Sequence, residues 1–241
     1  MDTKTHTIIE VPRTLFEDIV KDYSCFVNTI KDEDLVRTAI KNKYEKKISD
    51  NIYFRRIFSN KEYIFLEDKG KIFSQRDELK ITLNNSNKQN ENNLMEKVEK
   101  LFTLVNEPNV IKSLGIEQDF ELQTNLERVA YLLRYKPVDK QNSLFKSQLH
   151  YDFGLFTLIF QNTPGLYFIN KGKKEYPNVI KDSLIGIKGI QTLLLNHPKP
   201  PTLHGVEYAS DSSDYRFSIV LVYTRKDLPP VTKIPPELMP T

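Results

Sequence analysis

The sequence predicts a mainly β fold with flanking helices: a single domain in which a β sandwich or barrel carries, on one outer face, the helices that precede it. From about Glu127 onward, short runs rich in β-branched and aromatic residues (RVAYLLRY, FGLFTLIF, GLYFI, DSLIGIKG and YRFSIVLVY) alternate with turn residues, and helical periodicity fades. Upstream, apolar residues recur at helical spacing. At 241 residues the chain can bury one large core but is too short for two ordinary enzyme domains plus linkers.

Composition narrows the class further. Hydrophobic residues at 39% and charged residues at 28% exclude a disordered chain, a repeat array and a fibrous protein. The charge of +3 arises from 35 basic and 32 acidic residues mixed along the chain, so no basic stripe points to nucleic acid. The one cysteine, Cys25, has no partner for an internal disulfide, and the N-terminus lacks a secretory pattern. No window approaches the roughly 18 consecutive apolar residues of a membrane span. The expected setting is the reducing cytoplasm, with no membrane partner.

Taken in order, Thr14 and Glu17 fit a capping box, and Leu15, Ile19 and Tyr23 form the apolar stripe of a first helix. The four-residue spacing of Val36, Ile40 and Tyr44 predicts a second helix from Asp32 to about Lys47. Between 51 and 83, NIYF and EYIFL suggest strands. The stretch NNSNKQNENN, 84–93, is too polar to bury itself and reads as a surface loop. Leu94, Val98, Leu101 and Val105 then mark an amphipathic helix ending before Pro108. Residues 1–126 thus read as a mainly helical N-terminal part and 127–224 as a β core.

The chemistry concentrates in that core. In LHYDFGLF, His150 and Asp152 are one residue apart, and period-two alternation on a strand would aim both at one face. Alone, such a pair also fits hydrogen-bonded polar groups at a strand end. The chain has four histidines, His6, His150, His197 and His204, and of the two downstream His204 is the better third donor. Two imidazoles and one carboxylate on one face of a metal make the facial triad that suits Fe(II) and leaves positions open. In the last strand, Arg216 and Ser218 share a face with Val220 and Val222. If that face points inward, Arg216 needs an anion, and a guanidinium beside a hydroxyl matches a carboxylate. On an edge strand Arg216 would instead sit in water.

The ordered set His150-x-Asp152, His204 and Arg216-x-Ser218 resembles the signature of the 2-oxoglutarate and Fe(II)-dependent dioxygenases, in the branch of isopenicillin N synthase and anthocyanidin synthase. The separations of 52 (204 − 152) and 12 (216 − 204) suit that branch. HYDFGLFTLIFQNTPGLYF is similar to its metal strand and Pro-Gly-Leu turn, DSLIGIKG to its Asp-Ser stretch leading to a glycine, here Gly189, and Arg134-Tyr135-Lys136-Pro137 to the segment before the metal strand. The likeness covers about residues 129–224. It implies a double-stranded β-helix (jelly-roll) core packed against the N-terminal helices. It also implies His150, Asp152 and His204 as iron ligands, Arg216 and Ser218 holding the distal carboxylate of 2-oxoglutarate, and Tyr135 assisting.

Dioxygen would be the second co-substrate, ascorbate a candidate reductant, a small organic molecule the substrate, and the monomer the working unit. Oxidative decarboxylation of 2-oxoglutarate to succinate would drive hydroxylation or a related oxidation. Departures from the pattern are Gly189-Ile190 in place of Gly-Asp, Gly205 where an arginine is usual, and the lack of tryptophan. Two alternatives stand beside this reading: an oxidase of the isopenicillin N synthase type that uses no 2-oxoglutarate, and a non-catalytic binding protein that keeps the fold. Tyr151, Phe153, Phe156 and Tyr167 fit cavity lining or, better, core packing. Lys171, Lys173 and Lys174 fit a solvated hairpin turn better than an anion site.

Overall fold

The computed structural model describes residues 6–37, 43–58, 75–83, 93–116, 125–137, 145–146, 149–178, 183–195, 198–208, 214–229, 231, 235 and 238. After β1 (His6–Glu10) and α1 (Arg13–Thr29), a short 3-10 turn (Asp32–Asp34) leads into β2 (Val36–Arg37), β3 (Lys43–Ser49), β4 (Ile52–Phe58) and β5 (Gln75–Leu83). Then come α2 (Asn93–Leu104), α3 (Glu107–Ser113), β6 (Leu126–Tyr135), β7 (Phe145–Lys146), β8 (Phe156–Gln161), β9 (Leu166–Asn170), β10 (Lys173–Glu175) and β11 (Ser183–Lys188). A 3-10 turn (Ile190–Leu194), β12 (His204–Tyr208) and β13 (Arg216–Arg225) complete the order.

The strands form two antiparallel sheets, the larger in the order β1-β11-β8-β13-β6-β5-β4-β3-β2 and the smaller in the order β10-β9-β12-β7. Both β8 and β11 are buried at every position, which explains why their interiors are mostly apolar. One face of the large sheet carries the helices. Leu15, Ile19 and Tyr23 of α1 and Val98, Leu101 and Phe102 of α2 pack into one cluster with Phe54, Leu79, Leu132, Phe160, Ile219 and Leu221. Phe16 stacks on Phe160 with ring centroids 3.5 Å apart. Asp77 fastens α1 to this face, accepting hydrogen bonds from Arg56 Nε (2.7 Å) and Arg134 Nη2 (2.8 Å), while Arg134 also donates to Asn28 (2.9 Å).

The opposite face of the large sheet meets the small sheet over two further clusters, one with Leu133 and Tyr135, the other with Ile159, Leu166, Phe168, Ile185 and Ile187. Val206 of β12 and Val220 of β13 pack against both clusters, so these strands aim their residues into one inter-sheet space.

Several expectations need correction. The predicted helix at 32–47 is absent: that stretch holds a 3-10 turn, β2 and β3, with residues 38–42 outside the described set. A four-residue repeat is also a multiple of two, so Tyr44 packs on the helix-side core from a strand, while Val36 is exposed and Ile40 lies outside the described residues. The N-terminal part is mixed, not mainly helical. Its β5 pairs with β6 and its β1 with β11, so both parts of the chain share one sheet. The capping box is not formed; α1 starts from Pro12 with no side-chain cap, and Glu17 accepts a bond from Arg13 instead (2.6 Å). The helix before Pro108 forms as α2, and Pro108 sits in the first turn of α3, capped by Asn106. EYIFL and residues 84–92 of the polar stretch lie outside the described residues, and Asn93 opens α2.

Candidate metal centre

His204 opens β12 and pairs there with Phe168 of β9. Its backbone also forms a single antiparallel bridge with His150: His150 N donates to His204 O (3.0 Å) and His204 N to His150 O (3.1 Å). Residues opposed in this way project to the same side, and the two imidazole rings lie 4.3 Å apart.

Asp152 does not continue a strand, contrary to the alternation argument. Beyond the bridge the chain bends, and the bend is held by backbone: Leu155 N donates to Tyr223 O (2.7 Å), Ile190 N to Asp152 O (2.8 Å) and Gln191 N to Gly154 O (3.1 Å). Gly189 runs so close to Gly154 that a Cβ at 189 would collide with the Gly154 carbonyl. The glycine of DSLIGIKG therefore permits a backbone approach that sets the Asp152 carboxylate. Asp152 Oδ1 ends 3.7 Å from Nε2 of both His150 and His204, and the three donor atoms lie within 4.8 Å of one another.

The donors suit a cation. Asp152 Oδ2 is buried and makes no hydrogen bond among the described residues, a costly state for a carboxylate oxygen that a bound metal would relieve. His204 Nδ1 lies 3.1 Å from Thr202 O; donating there fixes the tautomer and leaves the Nε2 lone pair facing Asp152. Burial holds the His204 imidazole below its ordinary pKa, Asp152 opposes that shift, and His150 adds to it. Side-chain exposure rises from 4% at His204 through 16% at Asp152 to 48% at His150, so the centre opens on the His150 side.

The basic anchor faces the same inter-sheet space. Arg216 is buried; its Nη1 donates to Ser218 Oγ (3.0 Å) and its Nη2 to Gln161 Oε1 (2.8 Å), and its guanidinium lies 5.2 Å from the Tyr135 ring centre. The edge-strand alternative for Arg216 is thereby excluded, since β13 lies between β6 and β8. Gln161 is the group that sequence reading missed. Its signal was a polar residue closing the apolar run FTLIF in direct register with Ser218.

The aromatic candidates disperse. Phe156 is core and stacks on Tyr223 (4.3 Å), Tyr151 is buried and donates to Leu238 O (2.7 Å), and Phe153 is 85% exposed. Tyr167 lies on the other face of the small sheet from His204, where Gly205 leaves it room. Lys171 and Gly172 take positive φ in the β9–β10 turn, and Lys174 is engaged by Glu207 (2.6 Å) and the Tyr167 ring. His6 stacks on Phe168 in β9, and His197 lies outside the described residues.

No protein-family model matches the sequence, and no curated protein matches it. Solved structures do. Neurospora crassa T7H in complex with α-KG superimposes with a TM-score of 0.61 at 13% identity, over 92% of this chain and 76% of that one. The 2-oxoglutarate complex of AtDAO1, dioxygenase for auxin oxidation 1 from Arabidopsis thaliana, gives 0.57 at 12% over 99% and 90%. JOX2 in complex with 2OG, Fe and JA gives 0.59 at 16% over 98% and 72%. The fold is that of the 2-oxoglutarate and Fe(II)-dependent oxygenases, with the expected jelly-roll core.

Proposed function

We propose that this chain is a non-haem Fe(II) oxygenase that couples oxidative decarboxylation of 2-oxoglutarate to hydroxylation, or a related oxidation, of a small organic substrate. The observation that carries this reading is the donor triangle of His150 Nε2, Asp152 Oδ1 and His204 Nε2, all within 4.8 Å, on a fold shared with such oxygenases. Three donors on one side of an ion leave the other positions for co-substrates. When bound, Fe(II) supplies the site at which 2-oxoglutarate and dioxygen meet.

The chain's own residues do the rest. His204 offers Nε2 because Thr202 O accepts from Nδ1, and the Asp152 carboxylate is set by the 189–191 backbone. Arg216, with Ser218 and Gln161 fixing its fork, would take the far carboxylate of 2-oxoglutarate, with Tyr135 stacked against it. Val206 and Val220 line the space between and keep it apolar. A monomer in a reducing cytosol suits this chemistry and the single exposed cysteine. Among the described residues no helix is long and apolar enough to cross a membrane.

Anaerobic addition of Fe(II) and 2-oxoglutarate should give a weak visible charge-transfer band, and admission of air should then yield succinate. Absence of both would overturn the proposal. Oxygen uptake that proceeds equally without 2-oxoglutarate when substrate is present would favour the oxidase alternative.

A further inference from the structure

The inner face of the large sheet does not stop at the anchor. Cross-strand register continues it through β6, β5 and β4 in parallel rows. One row runs Gln161–Ser218–Leu133–Glu78–Arg55–Glu45, and its neighbour runs Val220–Tyr131–Lys80–Tyr53. Alternation puts Leu79 and Ile81 into the helix-side core, so Glu78 and Lys80 project to the inner face. With adjacent strands roughly 4.8 Å apart, Lys80 stands one strand from Tyr131 and two from Val220.

Tyr131 ties this face to the metal centre. It packs beside Leu133 and Tyr135 with Val206 and Val220. Burial first, then the Glu78 carboxylate, and to a lesser extent Asp152 and Glu127, raise its phenol pKa, while Arg55 opposes them. Tyr131 therefore stands between the charged rows and the Asp152 carboxylate. Glu78 is already shared by Arg55 Nη1 (3.3 Å) and Arg76 Nη2 (3.1 Å), and Glu45 meets Arg55 Nε (3.0 Å). Lys80 is half-buried and makes no hydrogen bond or ion pair among the described residues. Arg55 and Arg76 thus meet carboxylates, whereas Lys80 pairs with none among the described residues, a half-buried charge that a single anion would balance.

We propose that the substrate oxidised at this centre is a small monocarboxylic acid whose carboxylate docks on Lys80 and Arg55, across Tyr131 from Asp152. The inference rests on the iron and 2-oxoglutarate reading above and assigns that site its substrate class. A dianion is disfavoured because Glu78 and Glu45 border the cations.

The test uses the full chain loaded anaerobically with Fe(II) and saturating 2-oxoglutarate. Aliphatic and aromatic monocarboxylic acids are titrated calorimetrically beside their primary carboxamides, and the charge-transfer band reports 2-oxoglutarate binding separately. At least one acid should bind tenfold or more tighter than its amide. Lys80→Gln and Arg55→Gln should each weaken that acid at least fivefold, leaving the amide and 2-oxoglutarate unchanged, and Lys80→Arg should retain the preference for the acid. An intact band with no acid preferred over its amide, or a preference that survives Lys80→Gln, overturns the substrate assignment alone. A missing band overturns the reading beneath it.

Discussion

Burial keeps the His204 imidazole neutral in the fold, and two measurable consequences follow at the residue scale. The unfolded chain takes up a proton at this histidine near the ordinary value of about 6.5, whereas the folded chain does so only at lower pH. Stability from His204 is therefore complete above about pH 6.5 and is lost as pH falls toward the folded value. Thermal melts of the metal-free protein should show Tm dropping between pH 7 and 5, and His204→Gln should flatten that slope. The second consequence concerns metal. His204→Ala and Asp152→Ala should each cut Fe(II) affinity on the order of 100-fold or more, whereas His197→Ala and His6→Ala should leave it nearly unchanged. Equal losses at His204 and His197 in an equilibrium metal titration would show that the wrong histidine had been assigned. The proposed ligands His-x-Asp and His could be picked out in the sequence because metal chemistry demands those side chains, and Arg-x-Ser because a guanidinium on an inward face demands an anion. Gln161 could not be, because its role depends on lying opposite Ser218 in a neighbouring strand.

At the scale of elements, two junctions bear the most. Gly189 and Gly154 touch backbone to backbone, and the residues around them hold the bend that presents Asp152. Gly189→Ala has no room for its methyl group without moving that bend, so it should weaken Fe(II) binding at least tenfold while far-ultraviolet circular dichroism stays close to wild type. Asp77 is the other junction. Removing it by Asp77→Ala takes the shared buried carboxylate from the guanidinium groups of Arg56 and Arg134, which should cost about 3–5 kcal/mol in urea denaturation. The elements themselves were read unevenly. The α1 and α2 stripes follow from periodicity, and the strands β6, β8, β9, β11 and β13 from runs of β-branched and aromatic residues bounded by turns, because burial on one or both faces selects such side chains. Residues 32–47 defeated the same logic, since the spacing of Val36, Ile40 and Tyr44 satisfies period four and period two alike, and Tyr44 packs on the core from a strand. His150 and Asp152 were expected to converge by strand alternation. They converge instead through a one-residue bridge followed by a bend.

Across the whole molecule, the groups proposed to hold metal and co-substrate come from different parts of the jelly roll: His204 from the small sheet with His150 bridged to it, Asp152 from the bend braced by β13, and Arg216 from the middle of the large sheet. A ligand that bridges them binds only the folded chain. Saturation with Mn(II) at 100 times its dissociation constant should add about 2.7 kcal/mol to stability, and a chelator should remove it. Scanning calorimetry that shows no shift would mean that His150, Asp152 and His204 hold no metal together.

The sequence by itself determined which faces are apolar, which segments become the core strands, and which side chains can ligate, because these depend on side-chain chemistry and on spacing of a few residues. Only the tertiary structure decided that His150 and His204 oppose each other, that Asp152 is aimed by a distant glycine, that Gln161 braces Arg216, and that Lys80 faces the same space. Each of these is a contact between residues far apart in the chain. Register between strands selects such partners, and no local pattern records it.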